Sequence, residues 1–154
     1  MRPVIVIGYG NPNRQDDGVG HYVADKIDQL FSKQIDVLKC HQLGIELVET
    51  IKDYDIAIFV DAQSSGRPTN LEISTVEPAY HTSAFTHFMK PCSLIALTEC
   101  LYKKKLKAFL VSINGYNFDF GTDLSPETQK WADIAVNEIL KLVEQLTDIK
   151  PCFL

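Results

Sequence analysis

Residues 1–20 read MRPVIVIGYGNPNRQDDGVG, and this stretch sets the fold class. Val4 to Ile7 form a short apolar run of Val and Ile that stops at Gly8. Such a run bounded by glycine predicts a buried β-strand. From Val19 the pattern changes to a helical one, with apolar residues at Val19, Tyr22, Val23, Ile27 and Leu30. The polar turn between strand and helix carries two adjacent carboxylates, Asp16 and Asp17. In open α/β sheets, ligands bind where strands end in such turns.

Three readings of this turn compete. A dinucleotide loop is the first: Gly8 and Gly10 give GxG, but the third glycine position is Asn13, and Pro12 interrupts the turn. The acids also stand where a pyrophosphate would approach, and a partial glycine fingerprint is a weak signal. A helix cap is the second, since Asp is a favoured N-cap residue. One cap needs one acid, which leaves the other unexplained. The third is a hard-ligand or acid/base site, with a carboxylate at the strand end and glycines that admit a partner closely.

Composition narrows the function classes. A chain of 154 residues with 45% hydrophobic content fits one domain with one core, and no composition break or repeat divides residues 1–154. Twenty acidic against fifteen basic residues give a net charge of −5, which argues against nucleic acid or an anionic membrane as partner. No apolar stretch is long enough to span a bilayer. Val4 to Ile7 is too short for the hydrophobic region of a signal peptide, so cytoplasm is the expected compartment. Cys40, Cys92, Cys100 and Cys152 show no CxxC spacing and read as inert thiols rather than zinc ligands or disulfides.

Further along, the first helix is expected to end near Lys33, and Ile35 to Cys40 reads as a second strand. The turn His41 to Gly44 leads into a short helix with Ile45, Leu47, Val48 and Ile51 apolar; His41 is a candidate site residue at this strand end. Ile56 to Val60 is continuously apolar, as a central parallel strand covered on both faces should be. It runs into Asp61. Alone, that acid would be a turn or cap residue. If the first and third strands are neighbours, however, Asp17 and Asp61 face one crevice, and two such carboxylates repel unless a cation or histidinium lies between them. Leu71 to Val76 alternates weakly and predicts an edge strand, with either a parallel or an antiparallel direction open to it. Pro91 suits the first turn of a helix containing Leu94, Ile95, Leu97 and Leu101. His87 precedes that helix. A lone histidine there is more often structural than a ligand. With Asp17 and Asp61 it completes two carboxylates and one imidazole, a partial shell for a borderline divalent metal. His81 lacks the helix-leading context and is the lesser candidate. Leu106 to Ile113 reads as the last strand. Ser125 and Pro126 fit an N-cap and first helical residue, opening a final amphipathic helix to about Leu146; residues 148–154 read as a loose tail. The expected fold is a single-domain α/β/α sandwich with a mainly parallel twisted sheet of about five strands. No Ser/His/Asp or Cys/His nucleophile set and no HExxH is present.

The pattern resembles the hydrogenase maturation endopeptidases. GYGN at Gly8 to Asn11, the acidic pair and glycine in DDGVG at Asp16 to Gly20, the dipeptide Asp61–Ala62, THFMKP around His87 and the LSP of Leu124 to Pro126 carry the likeness, which covers nearly the whole chain. The family has Glu or Asp at the position of Asp17. The resemblance implies an aspartyl-type endopeptidase that removes the C-terminal peptide from the nickel-loaded precursor of a nickel–iron hydrogenase large subunit. It implies that Asp17, Asp61 and His87 contact the nickel of the precursor and form the catalytic site. Gly10, Asn11, Asp16 and His41 would border the substrate path. It implies no tightly bound cofactor. A non-catalytic nickel-checking protein and a nucleotide-binding α/β domain are the alternatives.

Overall fold

The computed structural model describes residues 3–31, 34–64, 66–80 and 89–149. Strand β1 (Val4–Tyr9) leads through a 3-10 turn (Gln15–Gly18) into helix α1 (Val19–Phe31). Then follow β2 (Asp36–Cys40), α2 (Leu47–Ile51), β3 (Ile56–Ser64), β4 (Leu71–Thr75), α3 (Pro91–Tyr102), β5 (Lys107–Gly115) and α4 (Pro126–Leu146). Among the described residues the sheet has five strands in the order β2-β1-β3-β5-β4. The β1–β2, β1–β3 and β3–β5 pairs are parallel, and β4 runs antiparallel along β5. The expected α/β/α sandwich with one antiparallel edge strand is the fold observed.

The sheet is covered on both sides, which is why β1 and β3 are continuously apolar rather than alternating. On one face Val4, Val6, Ile58, Val60, Val111 and Ile113 pack with Val23 and Ile27 of α1 and Ala135 and Ile139 of α4. On the other, Ile5, Ile7, Ala57 and Phe59 pack with Leu47, Val48 and Ile51 of α2 and Leu94 and Ile95 of α3. Local chemistry sets the helix starts. Pro91 occupies the first turn of α3, where its missing N–H removes no helical bond. The Ser125 side chain accepts the Thr128 N–H at the start of α4, and Pro126 follows it.

Two strands run further than their apolar composition suggests. β3 continues through Asp61 to Ser64 and β5 through Asn114 to Gly115, because the two polar ends pair with each other: Asp61 with Ser112, Gln63 with Asn114, Ser64 with Gly115. The ladder satisfies backbone groups that a polar sequence by itself assigns to a loop. Strand order also places the β1–β3 boundary at a topological switch point. From β1 the chain crosses to β2 on one side and returns to β3 on the other, so the segments leaving β1 and β3 diverge and open a crevice at the carboxyl edge.

Candidate active site

Backbone close approach shapes the carboxyl end of β1. A Cβ on Gly8 would lie 2.1 Å from the Gly20 carbonyl oxygen, so α1 begins directly against the strand. Gly10 has φ +133°, and a Cβ there would lie 2.2 Å from the Asp17 carbonyl oxygen. Only glycine folds the chain this tightly over the 3-10 turn. The Gly10 N–H points to the carbonyls of Cys40 and His41 at the end of β2, at 3.2 and 3.1 Å. His41 thus lies beside the β1 turn through its backbone, with its side chain exposed. Asn11 turns back on itself, its side-chain oxygen accepting the Asn13 N–H at 2.9 Å.

The two adjacent acids have different jobs. Asp17 faces the end of β1, and its Oδ2 accepts the Asn11 N–H at 2.8 Å. Asp16 turns the other way and has no exposed surface. Its Oδ2 accepts the Tyr116 N–H at 2.7 Å, the Asn117 N–H at 2.9 Å and the Ser125 hydroxyl at 2.7 Å; its Oδ1 accepts the Ser125 N–H at 2.7 Å. Burial alone would raise the Asp16 pKa, but the donors from Ser125, Tyr116 and Asn117 outweigh it and hold the carboxyl below its usual value. Asp16, expected to border the substrate path, has its carboxylate turned inside the protein. It ties the loop after β5 and the start of α4 to the turn that carries Asp17, through four donors inside the protein. This residue is also the cap-like acid that the opening sequence left unassigned, although the helix start it braces is that of α4, not α1.

Asp61 stands on β3 one position past Val60, which pairs with Gly8. It shares a sheet face with Tyr9, and the phenol and the carboxylate influence each other's ionisation. Burial pushes the Asp61 pKa up to about 6; the Tyr9 hydroxyl and the Ala62 N–H pull it down, and the negative charge of Asp17 pushes it up. Burial first, then the charge of Asp61, drive the Tyr9 phenol well above its ordinary range, so it remains a donor. Asp17 and Asp61, distant in sequence, are thus brought into electrostatic contact at the switch point. Sequence reasoning missed Tyr9, the variable position of GYGN, because only the β1–β3 register places its ring over the third strand.

Past Asp61 on the same face, the Gln63 side-chain N–H donates to Asn114 Oδ1 at 2.8 Å, and Asn114 donates to Asn70 Oδ1 at 3.1 Å. The Tyr116 hydroxyl closes this chain on Asn70 at 2.6 Å. These side chains stiffen the carboxyl ends of β3 and β5 beside the two acids.

His87 and its rival His81 lie outside the described residues. Among the described residues no group of three or more His, Cys, Asp or Glu side chains is placed to hold a metal ion. Asp17 and Asp61 bring two carboxylates to one crevice. A dinucleotide would bring its phosphates against these carboxylates. No helix among the described residues is long and apolar enough to cross a membrane.

No family model and no curated protein sequence matches the chain. Solved structures do match. The hydrogenase maturating endopeptidase HybD from E. coli superposes with a TM-score of 0.77 at 17% identity, over 98% of this chain and 96% of that one. The [NiFe] hydrogenase maturation protease HycI from Thermococcus kodakarensis KOD1 gives 0.73 at 19% identity, over 92% of both chains. The [NiFe] hydrogenase maturation protease HybD from Thermococcus kodakarensis gives 0.72 at 24% identity, over 92% of this chain and 99% of that one. Over nearly its whole length, the chain therefore has the fold of the solved hydrogenase maturation proteases.

Proposed function

We propose that this chain is an endopeptidase that removes the C-terminal peptide from the nickel-loaded precursor of a nickel–iron hydrogenase large subunit. The observation that carries the reading is the meeting of Asp17 and Asp61 at the switch point of a fold otherwise seen in named hydrogenase maturation proteases. Fold alone does not assign chemistry; the paired carboxylates supply the reason to assign it here.

The electrostatics give the reading a physical logic. In the free protein Asp17 and Asp61 repel, and burial adds to the cost of ionising Asp61. A divalent cation delivered by the precursor relieves that repulsion and gains two oxygen ligands. His87 is the proposed third donor. A precursor without nickel brings no such gain, so binding discriminates between loaded and empty substrate. Nickel belongs to the substrate in this scheme, and the protease holds no metal tightly by itself. A cation in this position polarises a carbonyl or lowers the pKa of a bound water, which is the chemistry that peptide hydrolysis needs. The reaction is assigned to the cytoplasm.

The test is incubation with nickel-loaded and nickel-free candidate precursors, followed by mass measurement of the products. Loss of a C-terminal peptide from the loaded precursor only is the expected result. Binding of the loaded precursor without cleavage would replace the protease by a non-catalytic nickel-checking protein. Indifference to every loaded precursor offered would remove the hydrogenase reading.

A further inference from the structure

Both site carboxylates lie against one short segment. The Asn11 backbone N–H holds Asp17 Oδ2 at 2.8 Å, and Tyr9 stands beside Asp61 on the neighbouring strand. The register explains that placement. Gly8 pairs with Val60 in the parallel β1–β3 ladder, so Tyr9 and Asp61 occupy the next positions on neighbouring strands. Side chains alternate between faces along a strand, and Tyr9 falls with Ile5 and Ile7 on the face that also carries Phe59. Its ring packs against that apolar cluster, which fixes where the hydroxyl points.

We propose that Tyr9 is a positioning residue, whose hydroxyl fixes the Asp61 carboxylate in the orientation in which Asp61 and Asp17 close on one divalent cation. The inference rests on the ligand roles proposed above for the two aspartates. The physical need is plain. Two like charges in one crevice swing apart when nothing holds them, and the cation must then reorient both ligands as it binds. A donor on each carboxylate removes that reorganisation in advance. Ligating carboxylates in metal sites are held by outer donors of this kind, whose loss costs roughly 10–100-fold in metal affinity. Asn11 supplies its donor from the backbone, where no side-chain substitution removes it. Tyr9 supplies its donor from a side chain, which makes its contribution measurable.

The experiment is calorimetric titration of the whole chain with Cd²⁺, which accepts mixed nitrogen and oxygen ligands. Wild type is compared with Tyr9→Phe, which keeps the packed ring and removes only the hydroxyl. Tyr22→Phe is the control, because it removes a hydroxyl that donates to Asp133 Oδ1 at 2.7 Å away from the site. The expected result is a Cd²⁺ affinity about 10-fold or more weaker in Tyr9→Phe, unchanged affinity in Tyr22→Phe, and cooperative melting of both variants. Equal affinity in Tyr9→Phe and wild type would overturn the positioning role, including the case in which the variant melts earlier, since the hydroxyl would then be structural. No uptake of Cd²⁺ by wild type would overturn the ligand assignment of Asp17 and Asp61 itself.

Discussion

Asp16 and Asp17 are neighbours of identical chemistry, and substituting them one at a time should give opposite results. Asp16→Ala removes a fully buried carboxylate that receives three backbone N–H groups and one hydroxyl. Hydrogen bonds to a charged group contribute about 1.5–3 kcal/mol each, and a buried donor left without a partner costs about 1–3 kcal/mol. The four bonds act as one unit, so their losses do not add. Partial entry of water to the loop after β5 offsets some of the cost. An expected loss of about 3–5 kcal/mol, the size seen when one partner of a buried ionic arrangement is removed, is a large share of a total stability of about 5–15 kcal/mol. For a chain of this length, each kcal/mol shifts the melting temperature by about 2–4 °C, so Asp16→Ala should melt about 6–20 °C below wild type. Asp17→Asn loses charge at a half-buried position with one backbone donor, and its melting temperature should stay within about 2 °C of wild type. Scanning calorimetry on the three proteins at neutral pH is the assay. The pH dependence adds a second arm. The Asp16 pKa is lowered in the folded state, so its stabilisation is present above the ordinary carboxylate range and is lost as pH falls through the folded value. The gap between wild type and Asp16→Ala should therefore narrow in acid. A melting temperature for Asp16→Ala within about 2 °C of wild type, at neutral pH, would refute the clamp.

Other expectations concern the crevice itself. Asp61→Asn should raise the melting temperature at pH 7.5: the folded pKa lies near 6, above the unfolded value, so the charge penalises folding fully above about pH 6 and not below about pH 4. Melts across that window should show the advantage vanish in acid, and a constant difference would contradict the burial argument. Gly10→Ala should cost about 1–3 kcal/mol, because its φ of +133° and the 2.2 Å approach to Asp17 force the turn to move; thermal melts together with Cd²⁺ titration should show both the stability and the ion lost, and a variant that keeps both would mean the turn tolerates a side chain. His87→Ala should abolish processing of the nickel-loaded precursor without unfolding the chain, whereas His81→Ala and His41→Ala should matter less. A side-by-side cleavage series decides this, and normal cleavage by His87→Ala with loss in His81→Ala would reverse the choice of histidine.

Local chemistry by itself determined most of the elements. The apolar run Val4 to Ile7, the helical spacing from Val19, Pro91 at one helix start and Ser125–Pro126 at another depend on neighbouring residues only, and each is where the structure has it. The mixed polar run of β4 was legible as an edge strand for the same reason. Tertiary structure decided the rest. Residues 61–64 of β3 are polar, and they are strand only because β5 pairs with them. Asp16 and Asp17 carry the same side chain in one turn, and no local rule says which one is buried. That choice was made by the loop after β5, whose N–H groups had to be satisfied and found Asp16 nearest. Asp61 and Tyr9 acquired their relation from strand order, since β1 lies beside β3 although β2 stands between them in sequence. Hydrophobic spacing encodes which side of an element is buried, but long-range pairing encodes which elements meet, and it is the meeting of β1, β3 and the 3-10 turn that makes two separate aspartates one site.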